Sequence, residues 1–115
     1  MSIKVIKVNY EYNKGILFVR FNEKLDHHIS YKINSFLVPK ILDQKIKYIV
    51  FNFYNVGYVD DFVIDALLNV KCAVKVNHGQ MCICEVSKNI EKKINKMKMR
   101  KVGSELNALK LIKVI

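Results

Sequence analysis

Apolar residues recur along this chain at two periods, and the switches between them mark out the elements. Over residues 3–10 and 15–22, apolar and polar positions alternate, as in strands with one covered face. Lys14-Gly15 lies between them, so a hairpin is predicted. From residue 27 the period lengthens. Ile29, Ile33, Phe36, Leu37 and Ile41 predict a helix over 27–42, with Asp26 as its N-cap. Pro39 lacks an amide donor and crowds the preceding turn, so it is expected to kink this helix or end it early. Ile46 to Phe53 is almost continuously β-branched or aromatic, which suits a strand covered on both faces.

After a turn at Asn55-Val56-Gly57, a second helix is marked by Phe62, Val63, Ala66, Leu67, Val70 and Val74. Asp60 or Asp61 is its N-cap, where the helix dipole favours a carboxylate. Asn77-His78-Gly79 stops it with a left-handed turn. Met81 to Val86 is a further strand. Ser87 caps a third helix over 88–99 with Ile90, Ile94 and Met97 inward, and Lys110 to Ile115 is a short strand or helix. The order β-β-α-β-α-β-α-(β) implies parallel crossovers. The expected architecture is one α/β domain over 1–115, a small mixed sheet covered by about three to four helices.

Bulk properties narrow the function. A chain of 115 residues has room for one core, and 51% hydrophobic residues argue against disorder. No apolar run approaches the ~20 residues of a membrane span. The alternating N-terminus does not read as a signal peptide, so a cytoplasmic protein is expected. Three cysteines, an odd number, do not form a disulfide framework. The formal charge is +10, yet only Arg20 and Arg100 among the 20 basic residues are arginine. Sequence-specific nucleic-acid readers favour arginine for bidentate contacts, so no specific nucleic acid is expected as partner. The lysines of 88–101 read as a solvated face. A basic surface-binding module for nucleic acid or anionic lipid stays as the alternative.

No catalytic constellation is visible: there is no glycine-rich phosphate loop, nucleophile elbow or HExxH helix. Cys82 and Cys84 share a strand face near His78, but small buried residues are the simpler reading than a soft-metal site. Asp26-His27-His28 resembles the opening of a metal-dependent phosphoesterase motif without its other clusters. Asp26, Asp60, Asp61 and Asp65 together would suit a degenerate receiver-like Mg²⁺ pocket, against which helix capping is simpler. No enzyme activity, metal or cofactor is expected.

Several segments, taken in order, resemble the anti-sigma-factor antagonist branch of the STAS family. Leu25-Asp26-His27-His28 is similar to that branch's opening of its first helix. Ile46 to Phe53, then Val56-Gly57-Tyr58-Val59-Asp60, resembles its buried strand and following loop. His78-Gly79-Gln80-Met81 with Cys82-Ile83-Cys84 resembles the start of its next strand, so the likeness runs over about 12 to 100. It implies a non-catalytic module that binds an anti-sigma factor of the serine-kinase type or a related regulator; a weak homodimer stays open. In the family the kinase modifies a serine in an Asp-Ser-Ser/Thr-Gly sequence at the start of the second helix. Here that sequence reads Asp60-Asp61-Phe62-Val63, so Phe62 stands at the phosphoserine position, and Glu23-Lys24 replaces a Gly-Glu pair. Phenylalanine has no hydroxyl, which implies binding without phosphorylation control. Asp61 reads as a cap or a weak stand-in for phosphate. The resemblance implies that Asp26, His27, Asp60, Asp61 and Phe62 face the partner.

Overall fold

The computed structural model describes residues 8–21 and 25–112. Strands β1 (Val8–Asn13) and β2 (Ile16–Phe21) form the predicted hairpin, running antiparallel from Val8 opposite Phe21 to Asn13 opposite Ile16. Lys14 and Gly15 both take positive φ (52° and 84°), the turn geometry that matches strand twist in a two-residue hairpin. The first strand continues to Asn13 rather than ending at residue 10; residues 3–7 of its predicted span lie outside the described residues. β3 (Tyr48–Asn52), β4 (Gln80–Cys84) and β5 (Arg100–Val102) then add in parallel, giving the order β1-β2-β3-β4-β5.

The central strand explains the two layers. Alternate residues of β3 point to opposite faces and none is exposed. Ile49 and Phe51 join Leu17, Val19, Phe21 and Ile83 in the main core, under the helices. Val50 joins Ile16, Phe18, Cys82 and Cys84 in a smaller core on the other face. Phe21 stacks on Phe51 (5.7 Å between centroids) and meets Phe53 edge-on at 5.4 Å. Such aromatic pairs add about 0.5–1.5 kcal/mol beyond their buried area.

The first helical segment neither ends nor stays regular. It runs as α1 (His27–Lys32), a π turn over Ile33–Leu37, and α2 (Val38–Gln44). The proline's effect falls on the turn before it. Val38 N–H reaches back to the Ile33 carbonyl, and Ser35 Oγ donates to the Tyr31 carbonyl at 2.6 Å. The additional residue in that turn rotates Phe36 out of the predicted apolar stripe, and it is 56% exposed. Ile29, Ile33, Leu37 and Ile41 stay buried.

α3 (Asp61–Val76) ends as predicted, although the left-handed residue is His78 (φ 61°). Gly79 N–H bonds the Val74 carbonyl and His78 N–H that of Lys75, both at 2.9 Å, a Schellman ending. Gly79 is required for a different reason: a Cβ there would collide with the Lys47 carbonyl beside it. The Asn77 amide donates to the Ile41 and Ile46 carbonyls at 3.0 and 2.8 Å, fastening the helix end to the α2–β3 loop.

The C-terminal region departs most from expectation. α4 (Lys88–Asn95) is shorter than 88–99, although Met97 is still buried beyond its end. β5 follows, and then α5 (Glu105–Leu111) stands where a closing element was expected only from Lys110. Three residues, two of them charged, are too few to show alternation; β5 exists through its pairing with β4. Residues 113–115 lie outside the described residues. α5 covers the smaller core with Ala108 and Ile112. Its start is clamped by Arg20, which donates Nε and Nη2 to the two oxygens of Glu105 at 2.7 and 2.8 Å. Asn52 Nδ2 adds a bond to Glu105 at 2.8 Å, and Arg20 also reaches Glu11 at 2.7 Å. No helix among the described residues is long and apolar enough to cross a membrane.

The Arg20 clamp predicts an acid-dependent stability. Its hydrogen bonds hold the Glu105 carboxyl below the usual value of 4.5. The stabilisation is therefore complete above that value and lost as pH falls through the lower folded value. Glu105→Ala should cost about 1–2 kcal/mol in urea melts near neutral pH. Between about pH 5 and 3 the variant should lose less stability than the native chain.

Candidate functional site

Two helices begin side by side at the C-terminal end of the parallel strands. Leu25 and Val59 form a parallel β-bridge. Leu25 N–H donates to the Tyr58 carbonyl at 2.9 Å, and Asp60 N–H to the Leu25 carbonyl at 2.8 Å. The next residue on each strand is an aspartate with extended backbone. Asp26 accepts from His28 N–H at 3.0 Å, and Asp60 from Phe62 N–H at 2.8 Å. Both are N-caps that satisfy an amide left unpaired by the helix, and each carboxylate faces the positive end of a dipole. Of the two candidates for the second cap, Asp60 fills the role.

Asp61 is the first residue of α3, with its side chain 81% exposed. Its carboxylate lies 3.1 Å from Lys93 Nζ on α4. Lys93 also donates to the Val59 carbonyl at 2.9 Å and lies 5.9 Å from the Tyr58 ring centroid. The negative charge that Asp61 brings is thus met by a cation within the same chain. Phe62 follows with its side chain outward, 64% exposed, while Val63 and Ile64 turn into the core. Tyr58 and Tyr54 are exposed in the loop before the helix.

All five residues singled out from the sequence therefore gather on one face: Asp26 and His27 at the start of α1, and Asp60, Asp61 and Phe62 at the start of α3. Lys93 lies beside them without having stood out, while Leu25 and Tyr58 had entered only as parts of the quoted segments. Lys93 was one lysine among many on its helix, and no local pattern ties it to a carboxylate 32 positions earlier.

Of the four carboxylates considered for Mg²⁺, Asp26 and Asp60 are caps, Asp61 pairs with Lys93, and Asp65 is exposed a turn farther along α3. Among the described residues no group of three or more His, Cys, Asp or Glu could hold a metal ion. Cys82 and Cys84 share the smaller core, as their spacing implies. Burial pushes their thiols up to about 11 and about 12, so they stay protonated near neutrality, the inert form.

Comparison with known proteins agrees with this fold. The STAS domain model matches residues 7–108. An anti-sigma F factor antagonist of Paenibacillus polymyxa is 23% identical over 114 residues, covering 96% of this chain and 97% of the relative. Among solved structures, the anti-sigma factor antagonist SpoIIAA in its unphosphorylated form superposes with a TM-score of 0.76 at 17% identity, over 91% of this chain and 96% of that one. A structure of an anti-sigma factor antagonist assigned by inference in Thermotoga maritima gives 0.83 at 11% identity, over 91% and 93%.

The site geometry predicts a sharp contrast between neighbours. Phe62→Ala should leave stability within about 0.5 kcal/mol of the native chain, as for an exposed side chain. Asp60→Ala should cost about 1 kcal/mol through loss of the cap. Val63→Ala should cost about 1–3 kcal/mol through the cavity it leaves. Urea melts of the three variants side by side test the assignment. A Phe62→Ala loss as large as that of Val63→Ala would contradict it.

Proposed function

The chain belongs to the STAS domain family, with the fold of anti-sigma-factor antagonists, and we propose that it is a non-catalytic module that binds an anti-sigma factor through the paired helix starts. The observation that carries this reading is Phe62, largely exposed at the first turn of α3. That position corresponds, in the likeness already drawn from Asp60-Asp61-Phe62-Val63, to the serine that a kinase-type anti-sigma factor modifies. A residue that a kinase must reach faces the partner, and an aromatic ring there gains binding energy from a large area at small rotamer cost.

The same substitution removes the switch. Position 62 offers no hydroxyl, and Asp61 carries at most one negative charge where a phosphate would carry roughly −1.5 to −2. Lys93 already offsets that charge. Asp61 therefore imitates phosphate poorly, and the module stays in one binding state whatever the kinase does. The serine of α1 is turned inward: Ser30 is buried and its Oγ donates to the His27 carbonyl at 2.7 Å.

Titration against a purified anti-sigma factor from the same cell tests this reading. Phe62→Ala should weaken binding by about 2 kcal/mol or more, roughly thirtyfold, while the variant stays folded. Asp65→Ala, exposed farther along α3, should bind as the native chain does. Equal affinities for native chain and Phe62→Ala would refute the anchoring role.

A further inference from the structure

A second concavity lies at the other end of the parallel strands, where β4 and β5 begin, with a volume of about 240 Å³. Four cationic side chains line it: Lys71 and Lys75 from α3, Lys98 from the turn after α4, and Arg100 from the start of β5. No carboxylate among the described residues lines it. Lys71 reaches a protein acceptor, the Met97 carbonyl at 3.4 Å. Lys75, Lys98 and Arg100 make no side-chain hydrogen bond or ion pair among the described residues, in contrast to Lys93, Lys101 and Arg20. Like charges gathered around one cavity repel, and an anion between them relieves that repulsion.

Helix ends account for part of this arrangement. Lys75 lies in the last turn of α3, where a cation offsets the dipole. That does not explain Arg100, which opens a strand. The chain has only two arginines, and Arg20 is spent on Glu105 and Glu11. The other one, Arg100, lines this cavity with the planar donor fork that suits phosphate oxygens. Apart from Gly79 and the Gln80 amide, the rest of the lining is apolar, with Met81, Met99, Leu111 and Ile112 the largest side chains.

We propose that this cavity binds a small organic phosphate, its phosphate against Lys75, Lys98 and Arg100 and its apolar body against Met81, Met99 and Leu111. The site is separate from the helix-start face and does not depend on the partner read there. Phenyl phosphate is the probe and phenol its neutral counterpart, each titrated into the ¹⁵N-labelled chain and followed by amide shifts. Lys98→Gly combined with Arg100→Gln removes two charges; glycine suits the positive φ of 51° at position 98, so the fold is retained. Lys40→Ala, on α2, is the control.

Phenyl phosphate should give saturable shifts at residues 79–81 and 98–100, and phenol none that saturate. The double variant should bind about tenfold or more weakly, and Lys40→Ala within about twofold of the native chain. Linear shifts spread over the lysine-bearing surface, an equal response to phenol, or unchanged affinity in the folded double variant would each overturn the proposal.

Discussion

Two backbone hydrogen bonds join Leu25 to the segment Tyr58–Asp60, and the geometry of the candidate site follows from them. They place Asp26 and Asp60 at equivalent positions, each capping a helix that leaves the C-terminal end of the sheet. Buried Leu25 and Val59 hold the bridge in the main core, so it resists shear between α1 and α3. Everything exposed at the site is displayed from that join. His27 is the first residue of α1; Asp61 and Phe62 are the first two of α3. A rigid mount for an exposed aromatic suits binding, because little ordering entropy remains to be lost when the partner arrives.

Electrostatics at the join separate two aspartates that look alike in sequence. Asp60 is consumed by its own helix, and Asp61 by Lys93, which also donates to the Val59 carbonyl just before the cap. α4 is thereby tied to the start of α3 at the point where phospho-regulated relatives, on the proposed reading, gain charge. The lysine-rich stretch 88–101 is thus not a uniform solvated face. Lys93 serves the site, while Lys101 pairs with Glu91 at 2.8 Å and holds its carboxyl below the usual range.

Much of this was legible because the strongest signals are local. The buried run around Val50, the aspartate caps and the stop at Asn77 each depend on a few neighbouring residues, and each appears where the pattern put it. Phe36 was misread because helical spacing assumes an unbroken period, whereas the turn before Pro39 holds one residue more. β5 and α5 were missed for the opposite reason. Arg100-Lys101-Val102 has no pattern of its own, and its strand character comes from β4, distant in sequence. The Arg20–Glu105 clamp spans 85 positions and the Asp61–Lys93 pair 32, and no spacing rule reaches so far.

The central claim is that this module docks in one state because Phe62 occupies the place of a switchable serine. The most direct test incubates the chain with a kinase-type anti-sigma factor and ATP, then measures affinity for that factor by titration, with phosphoserine read by mass spectrometry. The account predicts unchanged affinity and no stoichiometric phosphoserine. A fall in affinity on ATP treatment, accompanied by a phosphorylated serine anywhere in the chain, would contradict it.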